Sequence, residues 1–250
     1  MKVGILTIAY NEEQFIGACV KQFKHTGLEH LVLLSLNPWN GKTFKPDRTN
    51  DIASNLGAQV VIGDWDSEAH QRNYGLDYFY QKGCDWVLIV DADEFYSPED
   101  IAKLSYSLEQ DVEAIVANEM VVYWKDINHI IAPKQEDRPI VAIRSDQHFI
   151  IGRNAFSHIG ETEATLHHLS YVRDDEGMYK KIKSFTHATD FDTEEWYKNV
   201  WLKWNESSVD LHPVNPTQFK VADKKEAPKW LKELLNEAAY GLGCGDEAAK

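Results

Sequence analysis

Cysteine is scarce in this 250-residue chain: Cys19, Cys84 and Cys244 are odd in number and lie in no CxxC or close Cys/His spacing. That excludes a disulfide framework and a cysteine-bound zinc, and fits a reducing compartment. Positive charge is short too. With 26 Lys and Arg against 40 Asp and Glu the formal net charge is −14, which leaves no long-range attraction for nucleic acid or an anionic membrane. An anionic substrate would need local help, from a metal or a few placed cations. No apolar run approaches the roughly 18 residues of a membrane span. The N-terminal MKVGILTIAY is interrupted at Asn11 to Glu13, too short for a secretory signal, and reads as a first buried strand of a cytoplasmic protein. Internal repeats and low-complexity tracts are missing as well.

What is present is a regular alternation. VGILTIA, HLVLLSL, QVVIG and DWVLIV are short apolar runs, separated by amphipathic stretches at Glu12 to Lys24, Asn50 to Leu56 and Glu68 to Gln81. Continuous rather than alternating hydrophobicity predicts strands buried on both faces, and crossovers of this length predict a mostly parallel sheet in an α/β fold. Ligands of such sheets sit where the strands' carboxyl ends emerge. Asn11, Asn37, Asp64 and the Asp91 to Glu94 cluster should share that rim. Beyond a helix at Pro98 to Leu108 the pattern turns β-rich, in VEAIVANEMVVYWK, RPIVAIRS, HFIIG and ATLHHLSYVR. Helices are predicted at Asp174 to Phe185, Thr193 to Trp204 and Lys229 to Tyr240. The two-proline stretch DLHPVNPTQFK marks a linker. The predicted organisation is therefore a domain over residues 1–210, with a ligand-binding half at 1–110 and a second half at 111–210, followed by a linker and helical appendage at 211–250.

The chemistry concentrates in DWVLIVDADEF, where a buried strand runs straight into Asp91, Asp93 and Glu94. Carboxylates this close repel and resist losing water unless something positive sits among them, and a divalent cation is the simplest candidate. Three readings compete: a solvated loop capping the helix at Ser97 and Pro98; a phosphohydrolase with an Asp nucleophile; or a DxD whose metal bridges the phosphates of a nucleotide-sugar. The second is disfavoured by Phe95 where a Thr or Val is usual, and by the motif's late position in the chain.

LTIAYNEEQFI, QRNYGLDYFYQKGCDWVLIVDADEF and HHLSYVR together resemble the family 2 type glycosyltransferases of the GT-A fold. The resemblance is good over the first half and thin over the second, and its most specific part is RNYGL on a helix followed by DWVLIVDADE on a strand. It implies a GT-A-like fold, with a mixed β-rich second half and C-terminal helices, and a hexosyltransferase-like enzyme. Its donor would be a nucleotide-diphosphate sugar and its acceptor a carbohydrate or other hydroxyl. It also implies that Ala9, Tyr10, Glu12, Asn37, Trp65, Arg72, Asp91, Ala92 and Asp93 lie at the donor. Asp93 would be a direct ligand of Mn²⁺ or Mg²⁺, with Asp91 in its company, because phosphate and carboxylate oxygens are hard ligands. A late histidine completes the shell in some relatives. His167 and His168 share a strand and face opposite sides, and His168 is the favoured ligand. Relatives carry an Asp after the second strand where this chain reads SLNPWNGK, so Asn37 leaves the donor base open.

Other assignments rest on residue type. Glu12 and Glu13 suit the first turn of a helix. Arg173 and Lys180, Lys181 and Lys183 lie where a segment would cover a diphosphate. An inverting enzyme needs a base for the acceptor hydroxyl, and of Asp146, Glu161 and Glu163 the nominee is Glu161. Tyr123, Trp124 and Trp196 are candidates for a sugar-stacking surface. Two rivals remain. A sugar-phosphate nucleotidyltransferase should show a Gly-rich basic signature where this chain has the acidic AYNEEQF, and a non-catalytic carbohydrate-binding protein on a transferase frame should not hydrolyse donor.

Overall fold

Residues 1–136, 138–155, 158–215 and 218–243 are described by a computed structural model. Cys244 falls outside them. In chain order the first half forms β1 (Val3–Ala9), α1 (Ile16–Gln22), β2 (Glu29–Ser35), α2 (Thr49–Asn55), β3 (Gln59–Gly63), α3 (Glu68–Gln81), β4 (Trp86–Ile89), β5 (Glu94–Phe95) and α4 (Pro98–Ser107). The second half adds β6 (Ala114–Val116), β7 (Glu119–Trp124), β8 (Asp126–Ala132), β9 (Ile140–Arg144), β10 (Ile159–Glu161) and β11 (Thr165–Tyr171). It ends with α5 (Asp175–Ser184), α6 (Thr193–Trp196), β12 (Val221–Lys224) and α7 (Lys229–Gly243).

Seven strands make one sheet in the order β10-β6-β9-β4-β1-β2-β3. β1, β2, β3 and β4 run parallel, while β9 is antiparallel to both neighbours. A second sheet has the order β12-β8-β7-β11-β5. The continuous apolar runs are buried on both faces as their composition requires: Ile5, Leu6, Leu31, Val32, Trp86, Val87 and Ile89 are inaccessible. Each such side chain contributes about 1.5–3 kcal/mol of transfer free energy.

Helix α3 carries Arg72 toward the carboxyl end of the sheet, and its start is marked locally. Ser67 accepts a hydrogen bond from the His70 amide at 3.2 Å as its N-cap, satisfying a donor that the first turn leaves free. Gly75 lets the helix lie against β1. A Cβ there would stand 2.4 Å from Leu6 Cδ1, so a methyl group would push the helix, and the arginine it carries, off the strand.

The structure departs from the pattern-based reading at several places. Helix α1 starts at Ile16 rather than Glu12. Asn11 takes a positive φ of 52°, and the Glu12 carbonyl accepts from the Phe15 and Ile16 amides at 3.0 and 2.9 Å, so the acidic pair precedes the helix. HFIIG is a loop carrying only an isolated bridge between Ile151 and Asn154. The stretch from Thr193 is helical only to Trp196 and then passes into a π turn at Tyr197–Trp201. The expected appendage is tied into the fold: β12 pairs with β8, and Leu231 and Ala238 of α7 join the core that contains Phe15 and Cys19. Tyr123, Trp124 and Trp196 are buried at 2%, 0% and 6% exposure, so they pack the interior and offer no sugar platform. Among the described residues no helix is long and apolar enough to cross a membrane.

Candidate active site

Strand β4 ends on the Val90 amide, which donates to the Leu6 carbonyl of β1 at 3.0 Å. The chain then folds back within four residues. The Glu94 amide reaches the Asp91 carbonyl at 3.0 Å, and Glu94 Oε2 accepts from the Asp91 amide at 2.9 Å. β5 leaves the turn to pair with β11, setting Glu94 opposite His168 and Phe95 opposite His167. The acidic turn is thus the seam between the two sheets.

Its charge is answered by the protein's own cations. Arg72 of α3 lies 2.9 Å from Asp91 and 2.8 Å from Glu68. Arg153, in the loop after β9, pairs with Glu94 and stands 3.5 Å from Asp91. It also donates to the Ile140 and Ile89 carbonyls at 2.8 and 2.7 Å. Asp93 faces Lys181 at 3.0 Å, Arg173 at 3.3 Å and His168 Nε2 at 3.4 Å. Glu12 binds the same two cations, Arg173 at 2.7 Å and Lys181 at 2.8 Å. Five carboxylates, of Glu12, Glu68, Asp91, Asp93 and Glu94, therefore face four permanent cations. The mutual repulsion expected of an isolated acidic knot is largely cancelled before any ion arrives.

Electrostatics follow from this packing. Burial works to raise the Asp93 carboxyl, but Lys181, His168 and Arg173 outweigh it and hold the group well below the ordinary carboxylate range. Burial likewise opposes ionisation of Asp91, and Arg72 with Arg153 reverses the balance downward. For His168 burial disfavours the imidazolium, yet Asp93 lifts it above the usual imidazole value. His167, on the other face of β11, is pushed down by burial to about 4, and its Nδ1 is 2.8 Å from the Tyr123 hydroxyl.

A cavity of about 230 Å³ opens over this turn. Ala9, Tyr10, Glu12, Arg72, Asp91, Ala92, Asp93 and His168 all line it. Three predicted residues do not. Asn37 is exposed and donates to Asp64 at 3.2 Å. Trp65, expected at the donor, is 7% exposed and packs in the core, its ring 5.8 Å from that of Tyr74. Glu161 sits on the edge strand β10, exposed and paired with Arg138 at 2.7 Å, so the nominated base is not at the cavity.

Residues that the sequence left unremarked fill those places. Trp39, from the NPW that follows β2, supplies the aromatic wall. Ser184, Phe185, Thr186 and His187 also line the cavity, held by the loop after β2: the Lys42 amide donates to the Lys183 carbonyl and Asn40 Nδ2 to the Thr186 carbonyl, both at 2.6 Å. Gly41 makes that approach feasible, since its φ is +79° and a Cβ would lie 2.1 Å from the Lys183 carbonyl oxygen. Lys181 stands between this cavity and a neighbouring groove of about 890 Å³.

Among the described residues no three His, Cys, Asp or Glu side chains converge as a ready-made metal cluster. The donors nevertheless suit a hard ion that brings phosphate oxygens with it. Asp91 Oδ1 is buried and, although 2.9 Å from the Arg72 guanidinium, receives no aligned hydrogen bond. Arg72 Nη1 is buried without a hydrogen-bond partner. These are the acceptor and donor that a metal-diphosphate would satisfy.

Residues 4–160 match the family model described as glycosyl transferase family 2. No curated protein matches the chain. Solved structures with a similar fold include TarS of S. aureus (17% identity, TM-score 0.43, 73% of this chain and 38% of that chain). Others are the bifunctional IspDF of Campylobacter jejuni (10%, 0.40, 74% and 55%) and mannose-1-phosphate geranyltransferase of Thermus thermophilus (9%, 0.34, 82% and 66%). The chain spans well under half the length of TarS.

Proposed function

The chain belongs to glycosyl transferase family 2, and on that premise we propose that it moves a sugar from a nucleotide-diphosphate sugar to a hydroxyl acceptor at the DADE turn. The observation that carries this reading is the pairing of a buried acidic turn with an unpartnered arginine nitrogen at a cavity walled by Tyr10 and Trp39. The two aromatic rings offer flat faces for the nucleoside. Arg72 Nη1 supplies a charge-assisted donor for a phosphate oxygen. Lys181, released from Asp93, would add a second positive charge over the diphosphate. Asp91, Asp93 and His168 are the groups that would hold Mn²⁺ or Mg²⁺. Such an ion, when bound, would neutralise charge on the departing nucleoside diphosphate. Residues 184–187 line the side of the cavity nearest Lys181 in the chain.

The acceptor is a carbohydrate or other hydroxyl compound. Thermal-shift measurements with UDP-, GDP-, CMP- and dTDP-sugars, each with and without Mn²⁺, test the reading. One donor should raise the melting temperature, and Mn²⁺ with that donor should raise it by more than the two separate shifts combined. Absent or merely additive shifts with every donor, together with turnover of simple phosphomonoesters, would instead make the turn a hydrolase motif.

A further inference from the structure

The cavity has a base problem. Each carboxylate that lines it is already committed: Glu12 to Arg173 and Lys181, Glu68 and Asp91 to Arg72, Asp93 to Lys181 and Arg173. A carboxylate held by cations in this way is a weak proton acceptor. His168 is held by Asp93 at 3.4 Å. The remaining imidazole on the cavity wall is His187.

We propose that His187 is the general base of the transfer and that Asp190 orients it; this rests on the glycosyltransferase reading above. His187 Nδ1 is 2.6 Å from Asp190 Oδ2. With the Nδ1 proton donated to that carboxylate, the tautomer is fixed and the lone pair stays on Nε2 of a ring that is exposed to solvent. Carboxylate, imidazole and acceptor hydroxyl in sequence is the arrangement that a general base needs. His187 lines the cavity and is exposed to solvent, next to Thr186, whose hydroxyl donates to Glu68 at 3.3 Å, so an acceptor arriving from solvent can reach it. The titratable neighbours are few: Asp190 in the same loop, Glu68 through Thr186, and His212 from the facing segment, which burial drives down to about 4 and which is thus neutral beside it. The edge of Phe185 completes the surroundings, its ring 5.8 Å from that of His187.

The step balances in one displacement. An acceptor oxygen forms its bond to the anomeric carbon as that carbon's bond to the diphosphate oxygen breaks, the electron pair leaving with the nucleoside diphosphate. The hydroxyl proton passes to His187 Nε2, Asp190 stabilises the imidazolium, and the proton returns to water after release. A single displacement inverts the anomeric centre.

The test uses the full chain and whichever of the UDP-, GDP-, CMP- or dTDP-sugars shifts its melting, with water as acceptor and release of the nucleotide as the readout. His187→Gln should lower kcat by about 10²- to 10⁴-fold while leaving the donor-induced melting shift intact. It should also flatten the acidic limb of the kcat–pH profile. Asp190→Asn should lower kcat in the same direction, and NMR should find the released sugar inverted. A His187→Gln enzyme with wild-type kcat and an unchanged pH limb, or a product of retained configuration, overturns the proposal. If no nucleotide-sugar shifts the wild type, the proposed transfer from a nucleotide-sugar fails, and this base with it.

Discussion

Replacing Arg153 by Met isolates how much of the acidic turn is held by a buried guanidinium. The side chain answers Glu94, which is 2% exposed, and donates to the Ile89 and Ile140 carbonyls at 2.7 and 2.8 Å. Methionine keeps much of the apolar stem and loses all of these bonds. Removing one partner of a buried pair costs about 3–5 kcal/mol because the other charge is left uncompensated, and each deserted carbonyl adds about 1 kcal/mol. Retained stem packing and water entry offset part of this, so the expected loss is about 4 kcal/mol. In a chain of this length each kcal/mol moves Tm by about 2–4 °C, so thermal unfolding should drop by about 8–16 °C. The decisive comparison is Arg153→Met combined with Glu94→Gln. Glutamine carries no charge to strand, so the double variant should be more stable than Arg153→Met alone by about 2 kcal/mol, a coupling of the size seen for residues in one network. A single variant losing less than 1 kcal/mol, or a double variant less stable than the single, would refute the claim that Arg153 compensates Glu94.

Three further outcomes are expected from the same geometry. Asp93→Asn should destabilise the protein by about 2 kcal/mol, because Lys181 and Arg173 lose their second carboxylate and keep only Glu12. Because the folded carboxyl is depressed, wild type should hold that advantage above the unfolded carboxylate value near 4 and lose it as pH falls further, which denaturation between pH 2 and 7 will show. His168 has the opposite sign: its folded value is raised, so its contribution relative to His168→Gln is full below about 6.5 and disappears as pH rises through the folded value. Equal melting differences at pH 5.5 and 9 would contradict this. Gly75→Ala should cost about 1–3 kcal/mol from its 2.4 Å encounter with Leu6 and weaken donor binding through the displaced Arg72; unchanged Tm and donor affinity would show that α3 tolerates the shift.

The parallel core was legible because its cause is local. VGILTIA and DWVLIV announce two-sided burial in their composition, and Ser97 announces a helix start by capping a donor three residues on. The α1 boundary was not, because the positive φ at Asn11 depends on the loop at 45–47 that accepts from and donates to its amide side chain. Trp65 stands between acidic neighbours in GDWDSE, and it is the assembled core around Leu6, Ala69 and Leu76 that buries it away from the donor. The Asp93 neighbourhood was half legible: DADE stands out as a motif, whereas Arg153 and Lys181 reach it from 59 and 88 residues away. Periodicity reports which face of an element is apolar, not which distant cation will answer a carboxylate.

The pairing of β5 with β11 has a consequence for how this architecture can be cut, copied or recombined. Glu94 sits opposite His168 across that seam, and Glu12 near the start is clasped by Arg173 and Lys181. The pocket is consequently not a module. A fragment ending after α4 would keep the DADE letters but expose a raw strand edge and several unanswered carboxylates, and a graft of another second half would have to reproduce two strand registers and the cations at once. Variation that alters partners of this protein should therefore accumulate in the loops at the rim, such as 36–48, where exchange leaves the seam closed.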